Sequence, residues 1–476
     1  MLFNSFQFAI FFLIVTALYF KLPHKYRWAL LLSASCGFYM AFIPVYIFIL
    51  FTTIIVDYWA GMQIERTQGA ARKYWLIFSL VVTCAILFVF KYFNFFNSNL
   101  AAVANFFDWN YSLENLRLIL PIGLSFHTFQ SMSYVIEVYR GNQKAEKNFG
   151  IYSLYVMFYP QLVAGPIERP QNLLHQFYEE HTFDFNRVVG GLRLMVWGLF
   201  KKIVVADRLA VIVNQVYNNP HEYTGIPVIL ATVAFAFQIY CDFSGYSEIA
   251  IGAAQVMGFR LMQNFNRPYS SRSVAEFWKR WHISLSSWFR DYFYISLGGN
   301  RVSKPRWFFN LLITFMVSGL WHGANWTFLI WGILNGFYLT CGIWTQDIRK
   351  KIVSTIGLDQ LPYLHNLIRV GCTFALICFS WIFFRASSLS DAVWLIKHMF
   401  SWGNGWDWIS FSQIMILILC AALGMVKRSY DRIASGLAVD VRGWSAVMNY
   451  LIPALAINYM IFFGVRTHAQ FIYFQF

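Results

Sequence analysis

The chain has 476 residues, 58% hydrophobic and only 12% charged, with 37 Lys and Arg against 22 Asp and Glu for a formal net charge of +15. Soluble domains are about a quarter charged, so the composition excludes a water-soluble core and requires a polytopic membrane protein. In such a protein the surplus cations belong to cytoplasmic loops, and to a funnel for an anionic substrate, rather than to nucleic acid.

Aromatics make up 20% of the chain, and many of the Trp and Tyr residues are expected at membrane interfaces. The seven cysteines (Cys36, Cys84, Cys241, Cys341, Cys372, Cys378 and Cys420) all lie in apolar runs without a C-x-x-C pair. They read as small buried hydrophobes, with no disulfide framework and no metal site. The first residues lack a basic n-region and a small-residue cleavage site, so they are expected to form a first span rather than a cleaved signal peptide.

In chain order, residues 6–20 form the first span, followed by Lys21, Lys25 and Arg27. Runs at 28–42 and 45–60 meet near Pro44 and lead to a loop with Arg66, Arg72 and Lys73. Two basic loops separated by two spans lie on one side, the cytoplasmic one. A span from 75 to 92 then leads to a loop at 94–116, poor in Lys and Arg and so external, and the span 118–138 returns to Arg140, Lys144 and Lys147. Pro160 and Pro166, with Gly165, interrupt the apolar residues 152–170, which Pro170 closes; this predicts a broken or re-entrant segment packed in protein. An amphipathic stretch at 171–188 and a span at 188–205, with Lys201 and Lys202 at one end, follow.

The apolar run 227–256 is interrupted by Asp242, Ser244, Gly245, Tyr246 and Glu248. This predicts a helix break with Asp242 as cap, or a polar cavity lining, with Asp242, Ser244 and Tyr246 in support rather than in direct chemistry. Residues 259–307 carry Arg260, Arg267, Arg272, Lys279, Arg280, Arg290, Arg301, Lys304 and Arg306 and are expected on the cytoplasmic side. Within them, Phe277 to Tyr294 alternates aromatics with cations in the manner of an interfacial amphipathic helix. The same cations form a rim suited to an anionic donor such as a nucleotide-bearing thioester. Their bland reading is as positive-inside anchors.

From Arg306 the chain enters the membrane, passes Trp321, His322 and Gly323, and reaches Arg349, Lys350 and Lys351. With both basic ends on one side the two runs form a hairpin, and the first arm rises about 20 Å, short of the hydrocarbon thickness of about 30 Å. That leaves His322 within the bilayer at the turn. An ionisable group there is a functional candidate by default; its bland reading is a structural histidine at a helix end. Further spans are expected at 363–384, 411–426 and 446–464, with Lys427, Arg428 and Arg432 after the second and the terminal FIYFQF external. The sum is an all-α polytopic protein of about eleven to thirteen transmembrane or re-entrant helices.

The motifs LPIGLSFHTFQ (120–130), AGPIERP (164–170), DFSGYSEIAIG (242–252), NFNRPY (264–269), EFWKRWHISLSSWFRDYFYISLGGNR (276–301) and GLWHGANWTFLIWG (319–332) together resemble the membrane-bound O-acyltransferase family. Within it they resemble the bacterial branch that O-acetylates alginate and peptidoglycan. The resemblance runs the length of the chain and implies one membrane domain over 1–476: N-terminal spans in 1–150, a catalytic core in 151–345 and C-terminal spans in 346–476. It implies tilted helices ringed around a central funnel or tunnel in the cytoplasmic membrane. It matches the family's invariant histidine to His322 and that of its RWHISLS motif to His282. It also implies acetyl-CoA as donor substrate, no bound cofactor or metal, and an acceptor reached through a periplasmic partner of SGNH-hydrolase type, with membrane lipid around the chain. Two positions depart from the pattern: His127 stands where Tyr or Phe is expected, and Asn335 where relatives carry His.

Acyl transfer to a hydroxyl needs a base and stabilisation of an oxyanion. His322 is the expected base or acyl-accepting residue, since an imidazole titrates near neutral pH. His282 is expected to orient the donor or stabilise charge. Lys279, Arg280, Arg290, Trp321 and Asn325 form the expected donor- or substrate-binding set. The competing readings are D-alanyl transfer to teichoic acid from a carrier protein, a transporter or flippase with Asp242, Glu248 and His322 along its path, and a non-catalytic scaffold.

Overall fold

A run of apolar residues begins the chain as α1 (Phe6–Lys21), where the Ser5 hydroxyl caps the helix by accepting from the Phe8 amide at 3.2 Å. The computed structural model describes residues 1–401 apart from Ala164. After α1 come α2 (His24–Met40), α3 (Ile47–Arg66), α4 (Gly69–Leu87), α5 (Phe93–Phe106), α6 (Leu124–Arg140), α7 (Phe149–Met157), α8 (Tyr159–Leu162), α9 (Pro170–Leu173) and α10 (Phe185–Phe200). The remainder are α11 (Asp207–Tyr217), α12 (Ile226–Met257), α13 (Val274–Trp278), α14 (Ile283–Trp288), α15 (Lys304–His322), α16 (Trp326–Trp344), α17 (Gln346–Thr355), α18 (Pro362–Arg385) and α19 (Leu389–His398). No strand occurs among the described residues. Five stretches there, Pro44–Arg66, Gly69–Phe106, Ile226–Met257, Trp326–Trp344 and Pro362–Arg385, are long and apolar enough to cross a membrane, and α1 is a shorter apolar helix. Large side chains such as Phe6, Leu13 and Phe48 stand exposed on these helices, as a lipid-facing surface requires. The spans expected at 411–426 and 446–464, the cations between them and the terminal FIYFQF lie outside the described residues.

The chain forms two compact units, and α10 and α12 contribute residues to both. In the first (residues 1–195 and 246–262), α3, α4 and α6 pack together and α2 packs on α7. Asp57, inside the α3 span, is fully buried and accepts from the Ser79 and Thr83 hydroxyls of α4 at 2.5 and 3.1 Å. Such a carboxylate is tolerated in an apolar helix only with partners of this kind. The irregular segment around Glu168 is buried as expected, and the polar groups of Glu168 itself are met. The Glu168 carboxylate accepts from the Met262 amide and from Asn172, and its carbonyl accepts from the Tyr155 hydroxyl at 3.0 Å.

Two expectations in this unit are corrected. The loop expected from residue 94 is helical to Phe106, because α4 continues into α5 through a π turn at Phe88–Tyr92. Asn94 and Asn97 on α5 then bond the strand-free segment 111–116, so the loop folds back on the helix. The amphipathic stretch at 171–188 is not one helix: α9 gives way to a 3-10 turn (Leu174–Tyr178) and irregular chain before α10.

The second unit holds residues 196–245 and the described chain from 263. Its centre is the hairpin of α15 and α16, with α18 packed on α16. Small residues set how close the two arms come. A Cβ on Gly319 would lie 2.3 Å from the Phe328 carbonyl oxygen, and one on Gly332 would lie 2.3 Å from that of Phe315.

Here too the structure departs from expectation. The break expected at 242–248 is absent and α12 is continuous, because the Asp242 carboxylate is satisfied by a lysine from another segment rather than by the helix's own amides. The interfacial helix expected over 277–294 is instead α13, a left-handed residue at His282, α14 and a π turn (Phe289–Tyr294). Its aromatics Phe277, Trp278, Trp281 and Trp288 are buried rather than laid along a surface.

Candidate active site

α15 ends at His322 because the next residue takes an extended conformation and must be glycine: a Cβ on Gly323 would meet the Phe328 ring at 2.2 Å. Asn325 starts α16 as its N-cap, its Oδ1 accepting from the Thr327 amide at 3.1 Å. The turn therefore spans only Gly323 to Asn325, and His322 is carried at its edge, 4% exposed. Its ring lies against Trp321, Trp331 and Phe384, with centroids at 4.9, 5.0 and 5.3 Å.

His282 is fully buried and also lies near Trp321, whose ring centroid is 6.1 Å from its own. It has φ +42°, a conformation that costs a non-glycine residue about 1–3 kcal/mol and persists only where its surroundings impose it. The NFNRPY segment imposes it. Asn264 accepts from the Ile283 amide through its carbonyl at 2.9 Å and from the Ser284 hydroxyl through Oδ1 at 2.6 Å, while the Asn266 amide donates to the Arg280 carbonyl at 2.9 Å. Phe243 of α12 also packs on the His282 ring, at 4.6 Å. Burial pushes the His282 imidazole down to about 3, so it is a neutral group, able to accept or donate a hydrogen bond but not to serve as a cation.

Beside this aromatic pocket lies a buried charge cluster. Lys202 Nζ lies 2.8 Å from both Asp207 Oδ1 and Asp242 Oδ1, with all three side chains at most 5% exposed. Lys201 Nζ donates to the Ser244 hydroxyl at 3.2 Å and lies 5.6 Å from the centroid of the Tyr240 ring.

Of the residues singled out from sequence, the structure brings His322, His282 and Trp321 together, with Asn325 at the turn and Asp242 and Ser244 in the adjoining cluster. Tyr246 belongs to the first unit, where its ring stacks on Phe3 at 4.7 Å. Lys279 is exposed. Arg280 bonds Glu276 at 2.6 Å and Ser270 at 3.0 Å, and Arg290 bonds its neighbour Asp291 at 2.7 Å. His127 is buried in α6 of the first unit, and the Asn335 side chain donates to the Trp331 carbonyl within α16 at 2.8 Å. Sequence reasoning missed Asn264 as a support of His282 and the pairing of Lys202 with Asp207 and Asp242. The available signal was a lysine pair and two carboxylates in otherwise apolar runs.

The sequence profile described as "MBOAT, membrane-bound O-acyltransferase family" matches residues 146–389. The chain is 40% identical to the probable alginate O-acetylase AlgI of Pseudomonas aeruginosa over 85% of its length and 76% of the relative's. It is 36% identical to the protein of the same name from Pseudomonas putida over the full length of both. The peptidoglycan O-acetyltransferase of Helicobacter pylori is 34% identical over 78% of this chain and 73% of its own.

Proposed function

The chain belongs to the membrane-bound O-acyltransferase family, and from that premise we propose that it is an O-acetyltransferase of the cytoplasmic membrane, passing acetyl from acetyl-CoA to a hydroxyl of a cell-envelope polysaccharide, alginate or peptidoglycan. The donor is taken from the cytoplasmic side, and transfer runs through a periplasmic acetyltransferase partner of SGNH type. The reading rests on one observation above the others: His322 is held at the tip of a tight hairpin in an aromatic pocket, and His282 lies near the same indole, Trp321. His322 accepts the proton of the attacking hydroxyl as its oxygen bonds to the thioester carbonyl carbon; the C–S bond then breaks and the CoA thiolate takes up a proton. The neutral His282 is a hydrogen-bonding group for the carbonyl oxygen or the donor, which its buried, fixed ring suits. Lys279, Arg280 and Arg290 receive the donor's phosphates at the cytoplasmic rim.

The test is release of free CoA from acetyl-CoA by the protein in nanodiscs, with a partner or hydroxyl surrogate as acceptor. Loss of a positioned base is expected to slow His322→Ala by about 10²–10⁴-fold, with the melting transition retained. Release by His322→Ala at the wild-type rate would sink the assignment. Silence with acetyl-CoA but turnover with a carrier-protein thioester would favour D-alanyl transfer.

A further inference from the structure

The connection between α16 and α18 has no part in the reading above. It is α17, and no residue of it is buried. Ile348 and Ile352, with Ile356 just beyond the helix, follow one another at intervals of four and so share one face, and each is more than half exposed. Arg349 and Lys351 flank that face. Lys350 stands on the far side, where it pairs with Asp347 at 3.7 Å. A helix this short is marginal in water on its own and needs a surface to pack on.

Its surroundings identify that surface. The helices it joins, α16 and α18, are both long and apolar enough to cross a membrane. The chain leaves α16 at Trp344 and enters α18 beside Tyr363, and both of these rings are largely exposed. Trp and Tyr at the ends of spans settle at the level of the headgroups. With both ends held there, a helix of about 15 Å lies along the interface. The isoleucines then enter the acyl boundary, and the flanking cations reach headgroups of opposite charge. Arg349 Nη2 donates to the Gly342 carbonyl of α16, which fixes the side chain beside the last turn of that span. A single convex helix offers no seat for a small soluble anion, whereas an apolar stripe edged by cations matches hydrocarbon edged by phosphates.

We propose that α17 is a lipid-recognition element: an in-plane helix that binds anionic phospholipids of the cytoplasmic leaflet. Ile348, Ile352 and Ile356 enter the acyl region, Arg349 and Lys351 meet the phosphates, and Lys350 adds to the attraction. Recognition of this kind is independent of which acyl donor or acceptor the site takes.

The experiment is hydrogen exchange, read by mass spectrometry, on the full chain in nanodiscs of phosphatidylcholine alone and of phosphatidylcholine with phosphatidylglycerol. A cation at an anionic surface strengthens binding about fivefold. The two flanking cations should therefore slow exchange over 346–356 by about tenfold or more when phosphatidylglycerol is present, while α12 exchanges alike in both discs. Molar salt should erase the difference. Replacing the three cations together (Arg349→Gln, Lys350→Gln and Lys351→Gln) should also erase it and leave melting unchanged. Ile348→Asn with Ile352→Asn should lose protection in both compositions. If the glutamine variant fails to fold, the salt dependence of wild type decides. Equal exchange of wild type in the two discs would overturn the proposal, as would a difference that survives molar salt or the glutamine variant. So would protection that follows addition of acetyl-CoA or an acidic carrier protein to phosphatidylcholine discs and not addition of phosphatidylglycerol, which would make α17 a donor-docking surface instead.

Discussion

Lys202→Met tests whether the buried charge cluster supports the site. The substitution keeps the length of the aliphatic stem and removes both contacts of Nζ, each 2.8 Å, to Asp207 and Asp242. Those carboxylates are 5% and 3% exposed, so water does not replace the lost cation. Each charge-assisted bond contributes about 1.5–3 kcal/mol, and removing one partner of a buried pair costs about 3–5 kcal/mol, because the remaining charge is stranded. The expected loss is thus about 3–5 kcal/mol, limited by proton uptake on one carboxylate. It would be read as detergent- or SDS-induced unfolding of the purified protein. The control is Lys202→Met combined with Asp207→Asn and Asp242→Asn, which removes the stranded charges and should recover most of the loss. Phe243 follows Asp242 in α12 and packs on His282, so CoA release should fall in the single variant and return in part in the triple. A single variant within about 1 kcal/mol of wild type, or a triple variant no better than the single, would refute the reasoning.

Gly319→Ala places a methyl 2.3 Å from the Phe328 carbonyl oxygen, a backbone atom that cannot rotate away, so the hairpin must open. Overpacking of this kind costs about 1–3 kcal/mol, and because His322 is three residues on, CoA release should fall even where the protein still melts cooperatively; wild-type rate and stability would contradict the packing. For His282 the sign of the pH effect follows from its neutral folded form. Its folded value is pushed down to about 3, against about 6.5 in an unfolded chain, so its contribution is complete above the unfolded value and is lost as pH falls from there toward the folded one. Going from pH 7.5 to pH 5.5 should cost about 1.4 kcal/mol through this group. His282→Gln should remove that part of the acid sensitivity in unfolding measurements at the two pH values. An unchanged pH dependence would show that His282 does not carry it.

How much of this was legible in the sequence depends on whether the determining contact is local. The α15–α16 hairpin was legible because its signals are adjacent in the chain: apolar arms between basic ends, Gly323 to stop one helix and Asn325 to start the next. His282 was singled out through its motif, but its left-handed backbone was not foreseen, because the residue that imposes it, Asn264, lies 18 positions earlier in a loop with no helical period. The stretch from Phe277 to Tyr294 misled for a physical reason. Alternating aromatics and cations suit a membrane interface and suit equally a buried aromatic core whose cations reach out to carboxylates, as Arg280 does to Glu276.

Asp242 shows the same limit from the other direction. Flanked by Ser244 and Gly245, it satisfies every local rule for a helix cap. A carboxylate in an apolar run needs a partner, and local rules supply the nearest backbone amides. The fold supplies Lys202, which lies in a π turn (Lys201–Ala206) 40 residues earlier, and α12 then has no reason to break. An apolar run with an unexplained carboxylate is therefore better searched for a distant cation than for a helix end.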